Sequence, residues 1–358
     1  MASYEIKDGI GIIPKSVTKI GSDVFRGCTT LTSVVIPEGV TKIDAHAFDG
    51  CTALTSVVIP KSVTYIGHDA FNGCTSLTSV AIPAGVTEIE SETFTGCTSL
   101  TSVVIPEGVT EIGEQAFNGC AALTSIVIPE SVTEIGYSAF DGCAGLTSVV
   151  IPEGVTKISD GAFSGCIGLT SIAVAPGNKV YDSREGCNAI IDTFFRRLIQ
   201  GCTTTKLPEG VRCLGAYSFA GFTNLANINS LLEGVELIGE GAFAGCTGLT
   251  NLTIPESVKY VCARAFIECT GLESVVIQNA IADLDSYCMW LFAECSNLRS
   301  VTLPAGIKKI HNSNFSGCDN LNTINVPAKK ADYYKKRLPE NLHQFIVEME
   351  PVKKAKKK

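Results

Sequence analysis

One tryptophan, three methionines and four histidines are all that 358 residues contain of these types. Charged residues make up 18% of the chain, against about 25% in an ordinary soluble domain. No apolar run approaches the roughly 20 residues that a transmembrane helix needs, which excludes a helical membrane span. No Cys-x-x-Cys pair occurs, which argues against a zinc knuckle. His46, His68, His311 and His343 have neither the nucleophile partners nor the ligand spacing of a catalytic or metal set. His46 and His68 either approach each other or stand as separate exposed loop residues. Gly9-Ile10-Gly11 lacks the third glycine of a dinucleotide loop. The chain therefore reads as a non-enzyme with no catalytic residue, cofactor or metal assigned. Met1–Asp8 lacks the basic and long apolar regions of a secretory signal, so a native start at Met1 implies a cytoplasmic protein.

The net charge of −8 is divided unevenly. Residues 329–358 hold ten Lys/Arg and four Asp/Glu, so residues 1–328 carry −14. A body this acidic repels a phosphate backbone, which excludes nucleic acid as a partner of the main surface. Lysines at 353, 354 and 356–358 are expected to form a solvated, disordered tail over 351–358. Elsewhere a hydrophobic share of 45% suffices to bury a core, so the body is not disordered.

What is present is repetition. Phe-x-Gly-Cys places Cys28, Cys51, Cys74, Cys97, Cys120, Cys143 and Cys166 at intervals of 23 residues. A looser run follows at Cys246, Cys269, Cys295 and Cys318. Self-similarity at this period means a solenoid, since a propeller blade needs about 40 residues. Leu31-x-x-Val34-x-Ile36 fits a leucine-rich strand with β-branched substitutions. Pro37 ends it, having no N–H to donate. Val40 and Ile43, flanking Thr41 and Lys42, predict a second short extended piece on another face. Ala47-Phe48 then turns as a short helical or irregular segment, and Gly50 permits the return. About thirteen coils stacked at a strand spacing of about 4.8 Å would form a right-handed solenoid about 60 Å long.

Pro-x-x-Val-x-x-Ile-Gly-x-x-Ala-Phe-x-Gly-Cys-x-x-Leu-x-x-Val resembles the BspA-type, or Treponema-type, bacterial leucine-rich repeat over about residues 6–327. The resemblance implies a leucine-rich-repeat solenoid with a parallel sheet on its concave face and short helical or irregular convex segments. It also implies an adhesin-like protein that binds host matrix or cell-surface proteins from the bacterial surface, and the chain is expected to be a monomer. An intracellular scaffold of the same fold is the alternative, favoured by the missing signal and anchor.

The expected organisation is a repeat region over 1–327, a cap over 328–350 and the basic tail over 351–358. An irregular hairpin coil interrupts the repeats at 175–222, and a smaller irregularity lies at Asn279–Leu291. Cys187–Ile191 and Leu198–Cys202 flank Asp192–Arg197 and read as a β-hairpin. Beyond Pro327, Ala331–Leu338 reads as a short helix and Pro339–Glu350 as a final strand closing the core.

Eleven of the sixteen cysteines share one register and are expected to stack as a buried ladder of thiols. Cys187 and Cys202 face each other across the hairpin, either as two core thiols or as a cross-strand disulfide. Three groups are candidates for partner contact. The sheet should expose Ser33 and Val35 with their equivalents, as a repetitive binding face or simply as residues suited to a flat sheet. Glu88, Glu111 and Glu134 fall at one position of consecutive coils, as a site for a cation or basic partner or as a solvated acidic face. The interruption concentrates what the repeats lack: Tyr181, Arg184, Phe194, Phe195, Arg196 and Arg197. Aromatics beside guanidinium groups resemble an anchor cluster; the alternative is that Phe194 and Phe195 fold back onto the solenoid under the arginines.

Overall fold

A computed structural model of the chain describes residues 4–225, 228–279 and 288–350. They form a parallel β-solenoid of about 14 turns, divided into two compact units. Unit 1 holds residues 1–194 and 199–205, and unit 2 holds 195–198 and 206–358. The division passes through the tip of the hairpin.

Unit 1 opens with an antiparallel hairpin, Glu5–Lys7 against Ile10–Ile12. Asp8 and Gly9 turn it, both at positive φ, as the twist of a two-residue hairpin loop demands. Every later coil then follows one path. Ser33–Val35 pairs in parallel with Ile10–Ile12 and with Ser56–Val58. After Pro37, Lys42–Ile43 pairs with Lys19–Ile20 and Tyr65–Ile66 as the second expected strand. The first strand lapses at Ser125–Val127, although the alternation of buried and exposed side chains continues through it. Between the second strand and the next coil the chain makes consecutive turns with no helix, so the irregular form of that segment is the one adopted.

The core of unit 1 is a set of ladders. Phe25, Phe48, Phe71, Phe94, Phe117, Phe140 and Phe163 stack with centroids 5.1–5.5 Å apart and planes within 7°. Beside them each ladder thiol from Cys51 to Cys166 donates to the phenylalanine carbonyl 26 residues earlier, as from Cys97 to Phe71 at 3.2 Å. These thiols are the buried ladder expected from their spacing, with Cys28 only partly covered at the end. Burial pushes the Cys51 thiol up to about 12 and that of Cys120 well above its ordinary value. A column of threonines binds the coils from outside: Thr55 Oγ1 donates to the Thr32 carbonyl at 3.0 Å, and Thr101 Oγ1 to that of Thr78 at 3.0 Å. Glycine is required where the return is tightest. Gly50 has φ +69°, and a Cβ on Gly136 would meet the Gly113 carbonyl carbon at 2.7 Å.

At the interruption, Tyr181–Asp182 pairs antiparallel with Ile190–Asp192. Cys187 and Cys202 are both free and buried, so the two-thiol form is the one present.

Unit 2 repeats the same logic less regularly. Arg197–Leu198 pairs with Cys213–Leu214, which is followed by Leu237–Ile238 and Tyr260–Val261. Asn251–Ile254, Ser274–Ile277, Ser300–Thr302, Thr323–Val326 and Ile346–Glu348 form a parallel sheet. Phe219, Phe243, Phe266, Phe292 and Phe315 stack at 5.3–6.1 Å. The helix beyond Pro327 is shorter than expected, Ala331–Lys335. Its Tyr334 is fully buried and donates its hydroxyl to the Pro304 carbonyl. A 3-10 turn over Glu340–Phe345 precedes the last strand, which occupies only Ile346–Glu348. Most of the irregularity at Asn279–Leu291, and the whole tail over 351–358, lie outside the described residues.

Candidate binding surface

Two columns on the first-strand sheet of unit 1 face outward. Strand alternation buries Val34, Val57, Val80 and Val103 and turns their neighbours to solvent. Parallel, in-register pairing then stacks like on like: Val35 on Val58, Ala81 on Val104, and Val150 on Ala173. The exposed valines are well exposed, from 56% at Val150 to 78% at Val127. Beside them runs a column of hydroxyls, with Ser33 paired to Ser56, Ser79 to Ser102 and Ser148 to Ser171. A row of apolar side chains this exposed, edged by hydroxyls, has the character of an interaction face.

The second-strand sheet carries the charge. Glu88, Glu111 and Glu134 do stand in one register, each opposite the next, with Lys157 following. Glu134 forms an ion pair with Lys157, while Glu88 and Glu111 have no ion pair among the described residues. Burial, followed by the nearby Glu88, holds the Glu90 carboxyl above its ordinary value. In unit 2 that position is held by Cys213, Leu237 and Tyr260, and one residue earlier the charges alternate, Glu236 pairing with both Arg212 and Lys259.

The hairpin candidates do not share one environment. Tyr181 is a correction: it was expected at the partner-facing loop, but it is only 5% exposed. It falls 23 residues after Ile158, in the column of buried isoleucines, and its hydroxyl accepts a hydrogen bond from the Ile158 N–H at 2.8 Å. Arg184 lies on the surface but pairs within its own turn with Asp182, at 2.5 Å. Phe194 in unit 1 is 83% exposed and Phe195 in unit 2 is 65% exposed. Neither ring is buried in its own unit, so the folded-back alternative does not hold. Arg196 takes the left-handed conformation at the turn, with φ +51°, and Arg197 begins the next strand.

Coil stacking brings His46 and His68 together, the first of the two alternatives that their spacing left open. Two features escaped the reading by spacing. Asp69 stands beside the two histidines. In unit 2, Trp290, Phe315, Leu342 and Phe345 line an open hollow of about 740 Å³. The single tryptophan of the chain was the available signal for that hollow.

The chain belongs to the BspA-type leucine-rich repeat family, whose model matches residues 10–124, 70–187 and 188–322. Among solved structures it is similar to a leucine-rich cell surface protein from Faecalibacterium prausnitzii. The two share 34% identity over 87% of this chain and 77% of that one, with a TM-score of 0.67. The fold is shared with a leucine-rich repeat protein of Eubacterium ventriosum, at 22% identity, TM-score 0.63, and coverage of 90% and 81%. It is shared also with the pneumococcal vaccine antigen PcpA, at 18% identity, TM-score 0.64, and coverage of 94% and 85%. No curated protein matches the chain. Repeat folds of this kind serve as binding scaffolds with extended surfaces, and no described helix is long and apolar enough to cross a membrane.

Proposed function

We propose that this chain is a non-enzymatic protein-binding module of adhesin type, displayed at a bacterial surface and engaging host matrix or cell-surface proteins. The observation that carries the reading is the row of exposed valines beside serines in unit 1, running from Val35 to Val150. Such a row adds small contacts coil after coil, so it favours an extended partner over a compact epitope. The similar Faecalibacterium prausnitzii protein, described as a cell surface protein, supports the location. Glu88 and Glu111 offer a second contact to basic segments of the partner. Phe194, Phe195, Arg184, Arg196 and Arg197 are further proposed contacts, each within its own unit.

The test uses immobilised basement-membrane extract as the probe and a double variant, Val58→Asp with Val104→Asp. Both positions are exposed, so the thermal transition should stay within the shift expected for about 0.5 kcal/mol. Binding should weaken at least tenfold, about 1.4 kcal/mol. Absence of saturable binding by the parent chain, or equal binding by the variant, overturns the proposal.

A further inference from the structure

We propose that unit 1 holds a divalent transition-metal site bridging two consecutive coils, with His46 Nδ1, His68 Nδ1 and Asp69 Oδ2 as ligands. One donor atom from each of the three residues lies within 4.8 Å of the other two. Asp69 Oδ2 is 3.1 Å from His68 Nδ1 and 3.9 Å from His46 Nδ1, and the two imidazoles meet edge to face at 4.9 Å.

Three observations distinguish this arrangement from a surface ion pair. The first is an orphaned atom. His46 Nδ1 is buried and makes no hydrogen bond, and an unsatisfied polar atom is costly unless something binds it. The second is an outer support. Asn72 Nδ2 donates to Asp69 Oδ1 at 2.6 Å, which fixes the carboxylate while its other oxygen faces the imidazoles, as partners of metal ligands do. The third is the backbone. His46 and Asp69 occupy the same register of successive coils, both left-handed, with φ +56° and +57°. The His46 N–H donates to the His68 carbonyl at 3.1 Å, so coil stacking holds the ligand-bearing segments together.

A tetrahedral ion with bonds of about 2.0–2.1 Å places neighbouring donors roughly 3.3 Å apart. His68 and Asp69 stand near that spacing at 3.1 Å, and His46, at 3.9 Å from Asp69 Oδ2, must move closer to complete the set. Asp49 Oδ2 also lies 3.8 Å from His46 Nδ1, but Arg26 Nε holds it at 3.0 Å. That guanidinium takes Asp49 out of the ligand set, leaving water or a partner side chain for the fourth position. Two imidazoles and one carboxylate suit zinc, nickel or copper and do not suit magnesium or calcium.

Isothermal titration of the full chain, free of any histidine tag and kept reduced, with zinc chloride tests this. One saturable site is expected, unaffected by magnesium. His46→Asn, chosen because asparagine tolerates the left-handed backbone, should weaken zinc binding at least tenfold, as should His68→Gln. His311→Gln should leave it unchanged. Cobalt substituted for zinc should give visible absorption without a thiolate charge-transfer band, which separates this site from the sixteen cysteines. Circular dichroism confirms that each variant is folded. No zinc binding below millimolar concentration, binding that survives loss of both histidines, or a thiolate signature overturns the proposal.

Discussion

Asp141 is the residue at which burial and charge conflict most plainly in unit 1. Its carboxyl is held above the ordinary aspartate range by burial, opposed by hydrogen bonds from Ser164, Gly142 and Asn118. A carboxyl with a raised folded pKa binds its proton more tightly folded than unfolded. Stability is therefore greatest below the unfolded value near 3.9, falls as pH rises through the raised folded value, and levels off above it. Asp141→Asn removes that dependence. Urea unfolding of both proteins between pH 3.5 and 7, a range of about three units around the transition, should show the parent losing stability relative to the variant as pH rises. A gap that is constant with pH would mean that Asp141 is not strained by its burial. Tyr181 teaches the complementary lesson. Its place in the isoleucine column was legible by counting 23 from Ile158, yet its aromatic, polar-tipped side chain suggested a surface role. Register decided its burial, and residue type did not.

At the scale of the element, in-register stacking multiplies whatever a position holds. For Phe and Cys this multiplies burial, and for Glu88, Glu111 and Glu134 it multiplies repulsion. Like charges directly opposite in a sheet each cost roughly 0.2–1 kcal/mol, and Glu111 has one on either side. Glu111→Gln should therefore raise the melting temperature by on the order of 1 °C at low salt. The gain should vanish near 1 M salt, where the screening length falls to about 3 Å. A destabilised Glu111→Gln protein would mean that the column already meets a cation. The strands, the buried thiols and the outward valines were legible in the sequence because one coil, once understood, describes all its copies. The approach of His46 to His68 was one of two readings open from spacing, but the arrival of Asp69 beside them was not legible. It depends on left-handed backbone at a fixed place in each coil, and Asp23, His46, Asp69, Glu92 and Gln115 share that conformation without sharing a chemistry. Nor was it legible that the turn region of unit 1 would form no helix while its equivalent at Asn312–Phe315 in unit 2 forms a 3-10 turn, since the sequence at that position fits either form.

At the largest scale, unit 1 is quantised in 23-residue steps from Cys28 to Cys166, and the step is enforced by several columns at once. Phenylalanine rings and threonine hydroxyls connect a residue to its counterpart one coil away, and each thiol-to-carbonyl bond ties a cysteine to the phenylalanine of the preceding coil. Deleting residues 94–116 joins Thr93 to Phe117 and sets Phe117 where Phe94 stood. Every column then closes again, with Phe71 stacked on Phe117. Because stability in such folds is nearly a sum of coils and their interfaces, the shortened chain should fold cooperatively with a modestly lower melting temperature. Deleting residues 97–116 removes three fewer residues and leaves each column out of register. Buried phenylalanines and thiols would then face turn backbone, and loss of a buried aromatic's packing alone costs about 3–5 kcal/mol. That chain should lose its sharp transition in circular dichroism. Equal behaviour of the two deletions would show that the stacked columns do not set the fold. If the valine row is the binding face, the 94–116 deletion should also bind the matrix probe more weakly than the parent. It should still bind, because it removes one contact of many and leaves the row continuous.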